Sequence, residues 1–133
     1  ESGADCAHCH SSFNFENDKY MNNGISSNLE IQSDFGRYNV TNDESVKGKF
    51  KVPTLRNIEL TAPYMHDGRF ATLEEVVAHY NEGVKISTTI EPEIENTRVN
   101  GLGLTIQDKA DLVAFLKTLT DPTIATNSEF SEL

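Results

Sequence analysis

Apolar positions recur with a helical period in two stretches of this chain. Elsewhere Asn, Ser, Asp and Gly interrupt short extended runs. In the first stretch Leu73, Val76, Val77 and Tyr80 fall at i, i+3, i+4 and i+7, the stripe of an amphipathic helix. Thr72 and Glu75 before it form a capping box, and Gly83 supplies a stop. The second helix opens with Thr105 and Asp108, carries Leu112, Phe115, Leu116 and Leu119 on one stripe, and ends before Pro122. Residues 11–60 sustain neither period and read as ordered loop, with a short helix and a small β-hairpin near Asp34 to Phe50. Lys51–Leu55 and Thr61–Tyr64 read as extended, because each proline pushes its predecessor out of the helical region. Ile86 to Val99 is polar and reads as a surface loop, and 121–133 as a mobile tail. The fold class expected is mainly α, with long ordered loops.

A chain of 133 residues makes one domain, and 37% hydrophobic residues with no Trp make a modest core. Something besides side-chain packing is needed to hold it. Eleven Lys and Arg against 21 Asp and Glu leave a net charge of −10. That sign argues against nucleic acid and against an anionic membrane surface, both of which select basic faces. No run approaches the roughly 18 apolar residues of a membrane span. A basic protein partner or a bound cation suits the charge better.

The two cysteines, Cys6 and Cys9, are followed at once by His10. A disulfide closing so short a loop contributes little, and a zinc site lacks further ligands at paired spacing. A thioredoxin-like pair would need a βαβ context, which is missing. Cys-x-x-Cys-His is the attachment signal for c-type haem. Two thiols about one helical turn apart can add to the two vinyl groups of one porphyrin, and the next imidazole then meets the iron as proximal ligand. One haem c also supplies a large apolar surface for a chain short of core. Such haem is attached outside the bacterial cytoplasm, so a periplasmic or other extracytoplasmic location is expected. No leader is visible at Glu1, which places it upstream or already removed. Only five residues precede Cys6, so the helix that normally carries the motif reads as truncated, and 1–120 as the cytochrome domain.

A second axial ligand sets much of the redox potential. The candidates are His8, Met21, Met65, His66, His79 and Tyr80. His8 lies inside the attachment loop and points away, and Met21 follows His10 by only 11 residues. His79 reads as solvent-facing. Met65, 55 residues after His10 in a proline-containing loop, is the natural ligand from sequence alone, its alternative role being a flexible core filler.

Four runs recur in order: Asp34-Phe35-Gly36-Arg37, Phe50-Lys51-Val52-Pro53-Thr54-Leu55-Arg56-Asn57, Thr61-Ala62-Pro63-Tyr64-Met65-His66-Asp67-Gly68 and Thr72-Leu73-Glu74-Glu75-Val76-Val77. With the haem motif they resemble the C-terminal haem domain of the bacterial di-haem cytochrome c peroxidases and their MauG-like relatives, over Cys6 to about Leu119. The resemblance implies a cytochrome c-like domain whose haem receives electrons and passes them to a peroxide-reacting haem in a separate N-terminal domain. It places the distal ligand at Tyr80, as in MauG-like enzymes, rather than at Met65. It implies calcium on backbone carbonyls of Thr61 and Pro63, with a side-chain ligand from the other domain. His66 lies near the inter-haem route or only bonds within its loop; Arg37 and Arg56 are candidates to bind haem propionates or to brace loops. The expected partners are a peroxidatic haem domain and a small cytochrome or cupredoxin donor. The single-haem chain is not expected to reduce hydrogen peroxide alone. The alternatives are a free-standing electron carrier, a module of a larger cytochrome assembly, or part of a MauG-like oxidase.

Overall fold

The structure is a computed structural model and describes residues 4–30, 34–95, 101–124 and 126–130. Its regular elements are short. Strand β1 (Tyr20–Met21) pairs antiparallel with β2 (Phe50–Lys51), Tyr20 opposite Lys51 and Met21 opposite Phe50. Among the helices are α1 (Tyr38–Thr41), α2 (Leu73–Ala78) and α3 (Ile106–Lys117). Between them run 3-10 turns, among them Cys6–His8 and Ile58–Leu60, and α2 continues into a π-helical turn at His79–Gly83.

Both capping boxes form. The Thr72 hydroxyl accepts from Glu75 N–H while Glu75 reaches back to the Thr72 N–H, and Thr105 with Asp108 repeats the arrangement. Each satisfies two otherwise orphaned helix N–H groups and is worth about 1 kcal/mol. α2 and α3 pack together through Leu73, Val77, Val113 and Leu116, with Tyr64 completing the cluster. Tyr64 is held in this position by its backbone bridge to Phe70 across the 65–69 loop, and its hydroxyl donates to Ile58 O at 3.1 Å. None of the described large side chains is completely shielded from solvent, which fits the modest core expected from composition.

Four expectations need correction. The strand partner of Phe50–Lys51 is Tyr20–Met21, so there is no local hairpin at Asp34–Phe50; only the isolated bridge Gly36–Lys49 joins its two ends. In α3 it is Val113 that is buried with Leu116, whereas Phe115 is half exposed and meets Phe15 edge-on at 6.3 Å. Ser87, within the polar 86–99 stretch, is buried and accepts from Asn22 Nδ2 at 2.8 Å. His79 is 6% exposed rather than solvent-facing, because it opens the π-helical turn against the 22–26 segment, its Nε2 donating to Asn23 O at 3.1 Å. Residues 96–99 of the 86–99 loop, and 125 and 131–133 of the tail, lie outside the described residues; Ser128–Phe130 forms a 3-10 turn.

Candidate functional site

Cys6, Cys9 and His10 occupy one tight turn. His8 N–H donates to Asp5 O at 3.1 Å, and Cys9 and His10 N–H both donate to Cys6 O, at 3.3 and 3.0 Å. Three residues apart in a 3-10 turn, the two thiols lie on one side. Both are free: Cys6 is exposed and Cys9 half-buried, its Sγ 3.1 Å from Met21 Sδ. Burial first, then the Glu91, Glu93 and Asp5 carboxylates, push the Cys9 thiol up, so it stays protonated.

His10 is oriented by the loop that follows it. Phe15, at φ +53°, turns its carbonyl back onto His10 Nδ1 at 2.7 Å. A carbonyl can only accept, so Nδ1 carries the proton and Nε2 keeps its lone pair. Burial lowers the His10 pKa, against the opposing pull of the Phe15 and Pro53 carbonyls, and keeps the ring in the neutral form that ligates metals.

The Pro53–Arg56 run straps this loop down. Thr54 Oγ1 donates to Asn14 O, Arg56 Nη2 donates to Phe13 O at 2.7 Å, and the guanidinium lies over the Phe13 and Phe15 rings. Arg56 Nε is buried with no hydrogen-bond partner in the protein, while the Phe13 ring beside it is 85% exposed. An orphaned guanidinium N–H and a bare aromatic ring next to the attachment turn suit an apolar macrocycle with anionic edges. Arg37 stands elsewhere, its guanidinium 4.0 Å over the Tyr20 ring.

The structure brings Tyr80 to the attachment turn. The π-helical turn carries Tyr80 into a recess that Cys9, His8 and Leu102 also line. Such wide turns recur where a helix must present a side chain. The turn is held by Asn81, whose backbone and side-chain oxygens accept from Leu102 and Leu104 N–H at 3.1 and 3.0 Å. Tyr80 oxygen accepts from Asn23 Nδ2 at 3.3 Å. Burial raises its pKa, the Asn23 donor opposing.

Met65, at φ +73°, does not line that recess, but its Sδ lies 3.4 Å from the same Asn23 amide nitrogen. The ring of His66 stacks on Phe50 at 3.7 Å, and His8 pairs with Glu93 at 3.4 Å. Arg69 brackets the loop by pairing with Asp67 and donating to Ile25 O and Ser26 Oγ at 2.8 and 3.2 Å. Thr61 and Pro63 follow the Ile58–Leu60 turn; among the described residues no group of three His, Cys, Asp or Glu side chains could hold a metal, so an ion there would depend on carbonyls. Asn23 and the Phe15 carbonyl were not singled out from sequence. The Asn22-Asn23-Gly24 run signals a turn but not which side chain turns inward.

With Tyr80 and the Cys-x-x-Cys-His turn lining one recess and Thr54 and Arg56 bracing the loop after His10, comparison with known proteins is decisive. The chain is 42% identical over 106 residues to the cytochrome-c peroxidase IdrP2 of Pseudomonas sp. (strain SCT), an alignment covering 79% of this chain and 26% of that protein. This chain belongs to the cytochrome-c peroxidase and MauG family. Cytochrome c551 peroxidase of Nitrosomonas europaea is 37% identical over 89% of the chain and 31% of its own length. The methylamine utilization protein MauG of Methylorubrum extorquens is 31% identical over 87% and 31%. A crystal structure of a MauG-like protein associated with microbial copper homeostasis superposes on 98% of the chain and 44% of its own, with a TM-score of 0.85 and 35% identity. No protein-family profile matches. The chain thus spans about a quarter to a third of the length of these curated relatives. Among the described residues no helix is long and apolar enough to cross a membrane.

Proposed function

We propose that this chain is a mono-haem c-type cytochrome domain of cytochrome c-like fold, serving as the electron-transfer half of a peroxidase-like protein of the periplasm. The observation that carries the reading is the convergence of three groups: two free thiols on one turn, a proximal imidazole whose Nδ1 is tied to Phe15, and a tyrosine oxygen in the recess beside Cys9. Haem c bound here would supply reversible one-electron chemistry. Cys6 and Cys9 would hold it covalently, and His10 Nε2 and the Tyr80 oxygen would ligate its iron. The Phe15 carbonyl holds the His10 ring orientation and strengthens its donor nitrogen. Arg56 is placed to offer its free Nε–H to a propionate, and its bond to Phe13 keeps that loop in position. Arg37, committed to Tyr20 and to the β2 region, braces the sheet.

An anionic oxygen donor favours oxidised iron and lowers the potential, where a thioether raises it. Tyr80 therefore suits a low-potential centre. A charge of −10 suits a basic electron donor, such as a small cytochrome or cupredoxin, and the peroxide-reacting haem belongs to a further domain. Calcium on the Thr61 and Pro63 carbonyls belongs to the same reading, as a joint to that further domain.

The test is a redox titration of the chain matured with c-type haem machinery. One electron per chain at a negative midpoint, with negligible turnover of hydrogen peroxide, supports the reading. Peroxide reduction by this chain alone at the rate of a complete peroxidase contradicts it.

A further inference from the structure

We propose that Asn23 is a positioning residue for the iron-facing oxygen of Tyr80, holding it in the recess and holding the Met65 sulfur out of competition. The proposal rests on the reading of Tyr80 as the distal ligand and adds a residue to it.

The orientation of the Asn23 amide follows from its surroundings. Its Oδ1 accepts from Ile25 N–H at 3.3 Å. Flipping the amide would set NH2 against that N–H and the carbonyl oxygen against the Met65 sulfur, two repulsive contacts in place of two attractive ones. Nδ2 therefore faces Tyr80 oxygen at 3.3 Å and Met65 Sδ at 3.4 Å, one proton for each.

The backbone beneath it is pinned on every side. Asn22 is 3% exposed, and its side chain bonds Ser87, Thr89 and Gly24 N–H. Gly24, at φ +67°, accepts at its carbonyl from Lys85 N–H, and a Cβ there would meet Val84 Cγ1 at 2.6 Å. His79 Nε2 donates to Asn23 O at 3.1 Å, tying the residue to the π-helical turn that carries Tyr80. A single rigid amide thus touches both candidate ligands, and its two protons are divided between them.

Two consequences follow. A hydrogen bond to a phenolate oxygen withdraws charge from it, so Asn23 weakens the donor and keeps the potential less negative than Tyr80 alone would set it. The second proton occupies a lone pair of Met65 Sδ and ties the sulfur to a residue that cannot move.

The experiment uses the haem-loaded chain and four variants: Asn23→Leu, Asn23→Ser, Tyr80→Phe, and Asn23→Leu combined with Tyr80→Phe. Leucine matches asparagine in shape without its donors. The readouts are midpoint potential and ferric optical and EPR spectra. The expected result is a more negative potential in Asn23→Leu with the spectrum still of the Tyr80-ligated type, and no shift between the double variant and Tyr80→Phe. Asn23→Ser, which can still accept from Ile25 N–H, decides the matter where the leucine variant fails to fold. An unchanged potential in Asn23→Leu or Asn23→Ser overturns the proposal, as does an equal shift with and without Tyr80, or a positive shift with thioether spectra. If Tyr80→Phe leaves the ferric spectrum unchanged, it is the ligand reading that falls.

Discussion

His10 Nδ1 donates to the Phe15 carbonyl at 2.7 Å, across a backbone turn in which Phe15 adopts a left-handed conformation. The contact spans only five residues, yet Thr54 and Arg56 brace it from about 40 residues away, so the orientation of the imidazole is a property of the folded domain. Replacing Arg56 by Ala removes the bond to Phe13 and the cover over two aromatic rings. The expected cost is about 1 kcal/mol of stability, read in a denaturant titration, together with a changed midpoint potential of the haem-loaded chain. An unchanged potential would limit Arg56 to bracing the loop.

Tyr80 and Met65 make opposite predictions for the distal side. Met65→Leu is expected to leave the ferric spectrum and potential close to those of the parent, because the sulfur does not line the recess. Tyr80→Phe is expected to change both. A near-infrared sulfur-to-iron band in the parent, lost in Met65→Leu, would reverse the assignment.

Thr72 caps the helix that leads to Tyr80. Thr72→Ala is expected to destabilise the domain by about 1 kcal/mol, seen as a lower denaturation midpoint with an unchanged slope, while the ferric spectrum stays the same. The loss comes from the helix start and leaves the π-helical turn intact.

Asp108 gives a pH signature. Hydrogen bonds from the Thr105 hydroxyl and N–H hold its carboxyl below the ordinary aspartate range. The folded state therefore takes up this proton at lower pH than the unfolded state, whose value is about 3.9. The stabilisation is full above the unfolded value and fades as pH falls through the folded one. Asp108→Asn is expected to be less stable at neutral pH, with the difference from the parent shrinking below about pH 4. A constant difference across that range would show that the charge is not what matters.

The parts of the fold legible in sequence are those with local causes. The capping boxes at Thr72 and Thr105, the Leu73-Val77 face and the Cys-x-x-Cys-His turn each follow from residues within one or two helical turns. What escaped the sequence depends on distant segments. His79 falls off the apolar stripe and reads as outward until the 22–26 segment covers it. Tyr20–Met21 are too short to show a strand period, and their partner lies some 30 residues on. At the site, the two cysteines and His10 carry their chemistry in their spacing. Asn23 does not, since an asparagine before glycine looks like any turn until Tyr80 and Met65 arrive beside it.

The most direct measurement is the intact mass of this chain after expression in a host able to attach c-type haem, alongside a Cys6→Ala, Cys9→Ala variant. The account predicts that the parent carries the added mass of one haem, stable to acid and organic extraction, and that the variant does not. Recovery of the folded parent at the mass of its bare polypeptide would contradict the account.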